Sequence, residues 1–379
     1  MKRNSMKRSL LISLMVLIFG AGAANAAEND LKVQLGAFGN MDYRLLGNTH
    51  SFPVQNDFFL GDAALAVKAQ YGDHLRLIDE NLVEFSGNDL QIGVDRFLVT
   101  YIFSDQFRLS GGRDLTAIGH WNRTHNYAAQ LQTTIERPFF LKFEDDGGVV
   151  PAHIMGLMAE GLFQLGGASL KYEFDLGNSE TILLSGNGGQ PAGAELGSNP
   201  SGDPTSGKST AGRLVFKPWS DGGLAIGLAS YWNKYDVTAA TPDMATSPLL
   251  FSGLGQVILE GELIYSDDFF DLLAEFYEFD DRIPGMPLQG SSNNRAWYIQ
   301  VDCQAAEDLK PYLRYENLTI DGTDPYFQAL LQRNQTLYLA GFRYDWVPKV
   351  SCLKLEGRLR QVSNDPYAVE VEAQWAFGF

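Results

Sequence analysis

Long apolar runs are nearly absent from this sequence of 379 residues. The one clear run, Leu10 to Phe19, is shorter than the roughly 20 residues a helix needs to cross a bilayer, and no second run follows it. That argues against a helical membrane protein. Cysteine is scarce too: Cys303 and Cys352 are the only two. Basic residues are outnumbered, 29 Lys and Arg against 46 Asp and Glu, and form no basic stripe, which disfavours nucleic acid as a partner. No C-x-x-C-H is present, so the chain binds no haem itself. No Ser-containing nucleophile motif accompanies the five histidines, His50, His74, His120, His125 and His153, which points away from an enzyme. No cofactor and no metal are expected.

What is present begins with a leader. Lys2, Arg3, Lys7 and Arg8 precede the apolar run, and small residues lead to Ala24-Asn25-Ala26. A basic head, a short apolar core and an A-x-A site make a secretory signal peptide, with cleavage expected after Ala26. The whole chain is rich in Gly (39), Phe (24) and Tyr (16), nearly all of them in the remainder, 27–379, and has a mean hydropathy of −0.14. Aromatics at membrane interfaces, glycines in strands and a polar lumen would give this mixture.

The strands show by their period. From Tyr367 to Phe379 the odd positions carry Val369, Val371, Trp375, Phe377 and Phe379, and the even ones Glu370, Glu372 and Gln374. Strict alternation puts one set on each face of a strand. Upstream, Trp297, Ile299, Val301 and Cys303 oppose Tyr298, Gln300 and Asp302, and Val257, Leu259, Leu263 and Tyr265 oppose Gln256, Glu260 and Glu262. Leu353, Leu355 and Leu359 oppose Lys354, Glu356, Arg358 and Arg360. One apolar and one charged face suit a wall between lipid and a water-filled lumen. A last strand ending Trp375-x-Phe377-x-Phe379 resembles the assembly signal of bacterial outer-membrane proteins. That resemblance implies the outer membrane of a Gram-negative bacterium, and outer-membrane lipid and the barrel-assembly machinery as partners.

Short polar turns, such as Gly72-Asp73, Ser104-Asp105-Gln106 and Ser266-Asp267-Asp268, alternate with longer Gly/Pro/Ser/Asn-rich stretches near 47–56, 122–153, 187–208, 239–252, 281–293 and 321–334. The expected fold is all-β, a single transmembrane antiparallel up-and-down barrel of about 16 strands with both termini periplasmic. Counts of 14 and 18 stay open, because Ala168 to Asn187 is read as one strand with an outer extension. Cys303 and Cys352 fall three strands apart, roughly 14 Å at the usual strand spacing. A disulfide needs Cα atoms within about 7 Å, so both thiols are expected to be free, with Cys303 facing lipid and Cys352 near the periplasmic mouth.

The segment 111–156 carries a second resemblance. It reads Gly-Gly-Arg113, then Gly119-His120-Trp121-Asn122, Arg137-Pro138, Phe143-Glu144-Asp145-Asp146-Gly147-Gly148 and Pro151-Ala-His153. This pattern is similar to one in a poorly characterised family of porin-like outer-membrane proteins, broadly similar to phosphate-selective porins. The chain departs from that pattern at Asn126-Tyr127, where a second His is usual. Physically this is the longest loop, near 122–153, and long loops in compact barrels are either external caps or ordered segments folded inward. Arg137 is placed to hold Glu144, Asp145 or Asp146 in a bidentate pair, which with Arg113 would make a pore-constriction loop. The acids fit a plain surface turn nearly as well, and they lack the alternating calcium-loop spacing.

A second constellation is expected on the lumen face: Glu260, Glu262, Arg314, Glu316, Arg343, Asp345, Lys354, Glu356, Arg358, Arg360, Glu370 and Glu372. Opposed charges on neighbouring strands either stiffen the wall as a ladder or set a transverse field that selects solutes. The resulting expectation is a porin, a pore for passive diffusion of small ions or polar solutes, with a homotrimer left open. A barrel sheath for a multihaem redox protein and, more remotely, an outer-membrane hydrolase are the alternatives.

Overall fold

The computed structural model describes residues 30–46, 55–86, 89–125, 128–187, 190–197, 207–219, 222–240, 244, 245, 247, 250–282 and 294–379. The leader, most of the expected outer stretches near 47–56 and 281–293, and parts of those near 122–153, 187–208 and 239–252 lie outside these residues. The chain order is β1 (Leu31–Leu46), β2 (Gln55–Tyr71), β3 (Leu75–Ser86), β4 (Asp89–Ser104), β5 (Phe107–Leu115), β6 (His153–Leu165), β7 (Ala168–Asn178), β8 (Thr181–Asn187) and β9 (Gln190–Gly197). It continues through β10 (Lys208–Lys217), β11 (Ala225–Ala239), β12 (Phe251–Ser266), β13 (Phe270–Arg282), β14 (Asn294–Cys303), β15 (Leu309–Thr319), β16 (Gln335–Val347), β17 (Ser351–Val362) and β18 (Ala368–Gly378). Two one-turn helices, α1 (His120–Thr124) and α2 (Pro325–Ala329), lie in connections.

Each wall strand pairs antiparallel with its neighbour, and β1 closes on β18 from Phe38↔Gly378 to Leu46↔Glu370. Closure removes both free edges of the sheet, which would otherwise expose unpaired backbone groups to lipid. The wall has sixteen strands, β1–β7 and β10–β18. The segment Ala168 to Asn187 is two strands, not one. β7 ends at Asn178 and pairs with β10, while β8 leaves the wall and runs parallel to the end of β11, Val237↔Ile182 to Ala239↔Leu184. The β8–β9 hairpin is thus part of the β7–β10 connection, and the even count survives the break.

The alternation in sequence becomes two faces. Leu259, Val371 and Leu355 are exposed on the outside, whereas Glu260, Glu262, Glu356 and Glu372 are buried within. Large aromatics crowd the short-turn end of the outer face: Tyr71, Phe103, Phe163, Trp219, Phe269 and Trp346. Such a belt suits a membrane–water interface. Cys303 is exposed and Cys352 buried, on β14 and β17, and both are free thiols. Both described ends lie at the short-turn end: Gly72 N donates to Asp30 O, and Phe379 bonds Ala37 in both directions.

Candidate functional site

The connection between β5 and β6, residues 116–152, packs within the barrel rather than over it. Its backbone must satisfy its polar groups among wall side chains, because no ladder is available to it. Within β5, ahead of the loop, Gly112 has a positive φ of 139° and so close an approach to the Phe97 carbonyl that there is no room for a Cβ. At Gly119 (φ 73°) the chain turns against Tyr277, where an added Cβ would lie 2.1 Å from the hydroxyl. Helix α1 then docks on β13: Trp121 N donates to Glu275 Oε1 at 2.6 Å, and Tyr298 donates to the same oxygen at 2.8 Å.

Further along, the inward charges of β15–β17 hold the loop by its backbone. Phe139 N donates to Glu316 Oε2 (2.6 Å) and Ile135 N to Glu356 Oε2 (3.2 Å). Lys354 Nζ donates to the carbonyls of Ala129 (2.7 Å) and Thr134 (2.9 Å), Arg343 to that of Gln132 (2.8 Å), and Arg314 to that of Glu136 (3.0 Å). The same residues pair along their own strands, Arg314 with Glu316 (2.6 Å) and Arg343 with Asp345 (2.5 Å). Read from sequence as a ladder or a pore lining, these charges also form a cradle for the loop, and Arg358 pairs across strands with Glu372 (2.6 Å). Arg360 pairs with Glu370 at 3.3 Å and stays partly open to water. An apolar core seals the contact, with Trp121, Phe140, Tyr277, Tyr298, Tyr326 and Phe327 all buried. Tyr326 of α2 donates to the Val149 carbonyl (2.8 Å).

The loop returns to the wall through a clasp. His153, stacked on Phe143, lies between Glu144 Oε2 (2.9 Å) and Asp95 Oδ1 (2.8 Å), and its backbone N donates to Glu144 Oε1 (2.7 Å). Arg113 donates to the Asp95 carbonyl at 2.9 Å. Burial pushes the Glu144 carboxyl up, but the adjoining His153 outweighs it and brings the group to about 2. Here the sequence reading needs correction. Arg137 donates to the carbonyls of Leu141 (2.6 Å) and His125 (2.8 Å) and to Asn122 Oδ1 (2.9 Å), and lies over the Phe143 ring. Glu144 is taken by His153, Asp146 pairs with Lys142 (2.8 Å), and Asp145 is exposed. A buried guanidinium in a tight turn finds carbonyls nearer than the acids of the next turn.

On the opposite side of the lumen a chain of ion pairs links wall and loop. Arg96 bridges Glu80 (3.7 Å) and Asp114 (2.7 Å), and Arg123 bridges Asp114 (3.3 Å) and Glu173 (3.0 Å). Arg213 joins Glu173 (2.5 Å) to Glu262 (2.6 Å). Glu260, beside it on β12, has no hydrogen-bond partner for either oxygen among the described residues. Sequence reading missed Asp95, Arg123, Glu173, Glu275 and the role of His153. Glu275 and Glu173 were within reach of the parity argument, since each shares a strand face with other inward residues. The clasp joins residues 58 apart and carries no periodic signal. Trp375 and Phe379 are exposed on the outer face at the closing seam, with Phe377 half-buried between them.

No family model and no curated protein matches this chain. Solved structures do. The chain is similar to an anion-selective porin from Comamonas acidovorans, with a TM-score of 0.60 at 11% identity over 92% of this chain and 100% of that one. It is similar to OmpT, an outer-membrane protein of Vibrio cholerae (TM-score 0.59, 12% identity, 93% and 100% covered). It is also similar to the outer-membrane channel DcaP of Acinetobacter baumannii (TM-score 0.55, 14% identity, 93% and 99% covered). The fold is that of an outer-membrane porin. At these identities the likeness speaks for architecture and leaves the solute to chemistry.

Proposed function

We propose that this protein is a porin of the Gram-negative outer membrane, a water-filled pore for passive diffusion of small ions and polar solutes. One observation carries the reading: a closed wall, apolar outside and charged inside, holds the β5–β6 loop docked across its interior, with the β8–β9 hairpin and α2 packed beside it. A loop fixed at so many backbone points narrows a passage without plugging it with a separate domain. Residues 1–26 act as the export signal, the termini face the periplasm, and Trp375, Phe377 and Phe379 engage the barrel-assembly machinery. The loop histidine best placed for chemistry, His153, is buried between two carboxylates, which supports passive transport over catalysis. A homotrimer is the assembly proposed, by analogy of fold alone. Refolded protein in liposomes should admit small neutral solutes in a swelling assay and give discrete conductance steps in planar bilayers. A folded barrel with no solute flux and no conductance would overturn the pore and favour the sheath.

A further inference from the structure

The residues around Glu136 form a group that the loop cradle does not use. Glu136 belongs to the inward loop, yet its carboxylate is shared by three cations from three elements. Arg44 of β1 lies 2.7 Å from Oε1, Arg358 of β17 3.4 Å from Oε2, and Lys142 of the loop 3.5 Å from Oε2. Each cation also has a second acid: Arg44 has Glu372 (2.9 Å), Arg358 has Glu372 (2.6 Å) and Glu356, and Lys142 has Asp146 (2.8 Å). Glu136 is therefore the acceptor held in common, not the sole neutraliser of any of them.

Two further features distinguish this group from a structural ion pair. Water reaches its Arg44 and Lys142 side: the Arg44 side chain is 33% exposed, that of Glu136 22% and that of Lys142 19%, whereas Arg358 at 2% lies behind them, as buried as the Arg213–Glu173–Glu262 triad. It also has donors to spare, since Arg44 Nε and Arg358 Nη2 have no acceptor among the described residues. Guanidinium groups are planar forks that match the oxygens of carboxylates and phosphates two at a time. Burial alone would push the Glu136 carboxyl up, but Arg358, Lys142 and Arg44 together hold it well below the ordinary carboxylate range. The cluster thus stabilises an oxyanion in place.

We infer that Arg44, Arg358 and Lys142 form a subsite for oxyanionic solutes, small carboxylates or phosphates, and that Glu136 occupies it as an internal stand-in. A permeating oxyanion displaces the Glu136 carboxylate and takes over its three contacts. The Glu136 side chain swings away on the loop, and the backbone anchors at Ile135 and Phe139 remain. The inference rests on the pore reading for its role, though not for its chemistry. It differs from a wall that merely attracts anions, because here the competitor is covalently tethered and its removal should strengthen solute binding.

The test compares the wild-type chain with Glu136→Gln and Lys142→Gln in planar bilayers, in a chloride background. Succinate and inorganic phosphate are titrated as blockers, with glucose as the neutral control. Glu136→Gln is expected to lower the half-blocking concentration of both anions about tenfold, and Lys142→Gln to raise it several-fold, with glucose unaffected. The succinate and phosphate arms show which oxyanion the fork prefers. Unchanged midpoints in Glu136→Gln, or an equal shift for glucose, would overturn the subsite while leaving the pore intact. Calorimetric titration of phosphate into the detergent-folded proteins supplies the second readout. The same order of affinities without any conductance would keep the subsite and sink the pore. Loss of the order sinks the subsite whether or not current flows.

Discussion

His153 begins β6 where the inward loop ends, and makes three bonds, two to Glu144 and one to Asp95. All three residues are buried, so removing the imidazole takes one donor from each carboxylate, while the backbone N–H of residue 153 still bonds Glu144 Oε1. Breaking a buried pair in this way costs roughly 3–5 kcal/mol. His153→Ala should therefore lower the unfolding free energy of the detergent-folded barrel by that amount, whereas exposed Asp145→Ala should leave it within experimental scatter. The clasp also has a definite pH dependence. The Glu144 carboxyl falls from its ordinary 4.5 to about 2 on folding. A group depressed by folding contributes stability that is complete above its unfolded value and is lost as pH falls through the folded one. The loop should stay docked down to about pH 4.5 and loosen between there and pH 2. Hydrogen exchange at residues 143–153 would show this, and protection unchanged to pH 2 would disprove it.

At the scale of the element, the loop is ordered by wall groups far away in sequence. Arg137 is its internal staple, tying the carbonyls of His125 and Leu141 to Asn122, which itself donates to Thr116 O and Ala152 O at 3.0 Å. Arg137→Ala should release these acceptors without touching the barrel ladder. We expect faster protease nicking within 122–143 and noisier single-channel current, with wall strands retaining their protection. Equal nicking rates in both proteins would mean that the cradle of Glu316, Arg343, Lys354 and Glu356 holds the loop without the staple. The β8–β9 hairpin follows the same logic. It leaves the wall because Ile182, Leu184 and Leu196 bury against Tyr231 and Tyr235 inside, an apolar contact that lipid could not improve on.

For the whole molecule, the two faces of the wall differ in what surrounds them. Leu259 is exposed on the outer face, so Leu259→Arg should destabilise the barrel by about 2–4 kcal/mol if it lies near the mid-membrane. Gln374 points inward beside Lys354, and Gln374→Arg should be tolerated far better in the same heat-modifiability assay on gels. Similar losses of folded protein would contradict the register. Both thiols should react with maleimide in unfolded, unreduced protein; a single intramolecular link would contradict the strand order.

By itself the sequence determined the wall. A period of two with one apolar and one charged set, read at Val257–Tyr265, Trp297–Cys303, Leu353–Arg360 and Tyr367–Phe379, assigns faces because lipid and water impose opposite demands on neighbouring residues. The even strand count and the free thiols follow from the same geometry. Only the tertiary structure decided what the inward charges do. Glu316, Lys354 and Glu356 read as lining or ladder until the loop's unpaired N–H and C=O groups arrive beside them. Arg137, Glu144 and His153 likewise received their partners from folding. Local patterning fixes which side of a strand a residue takes, but a loop with no ladder finds its partners wherever folding brings them, from Asp95, 58 residues from His153, to Lys354, 225 from Ala129.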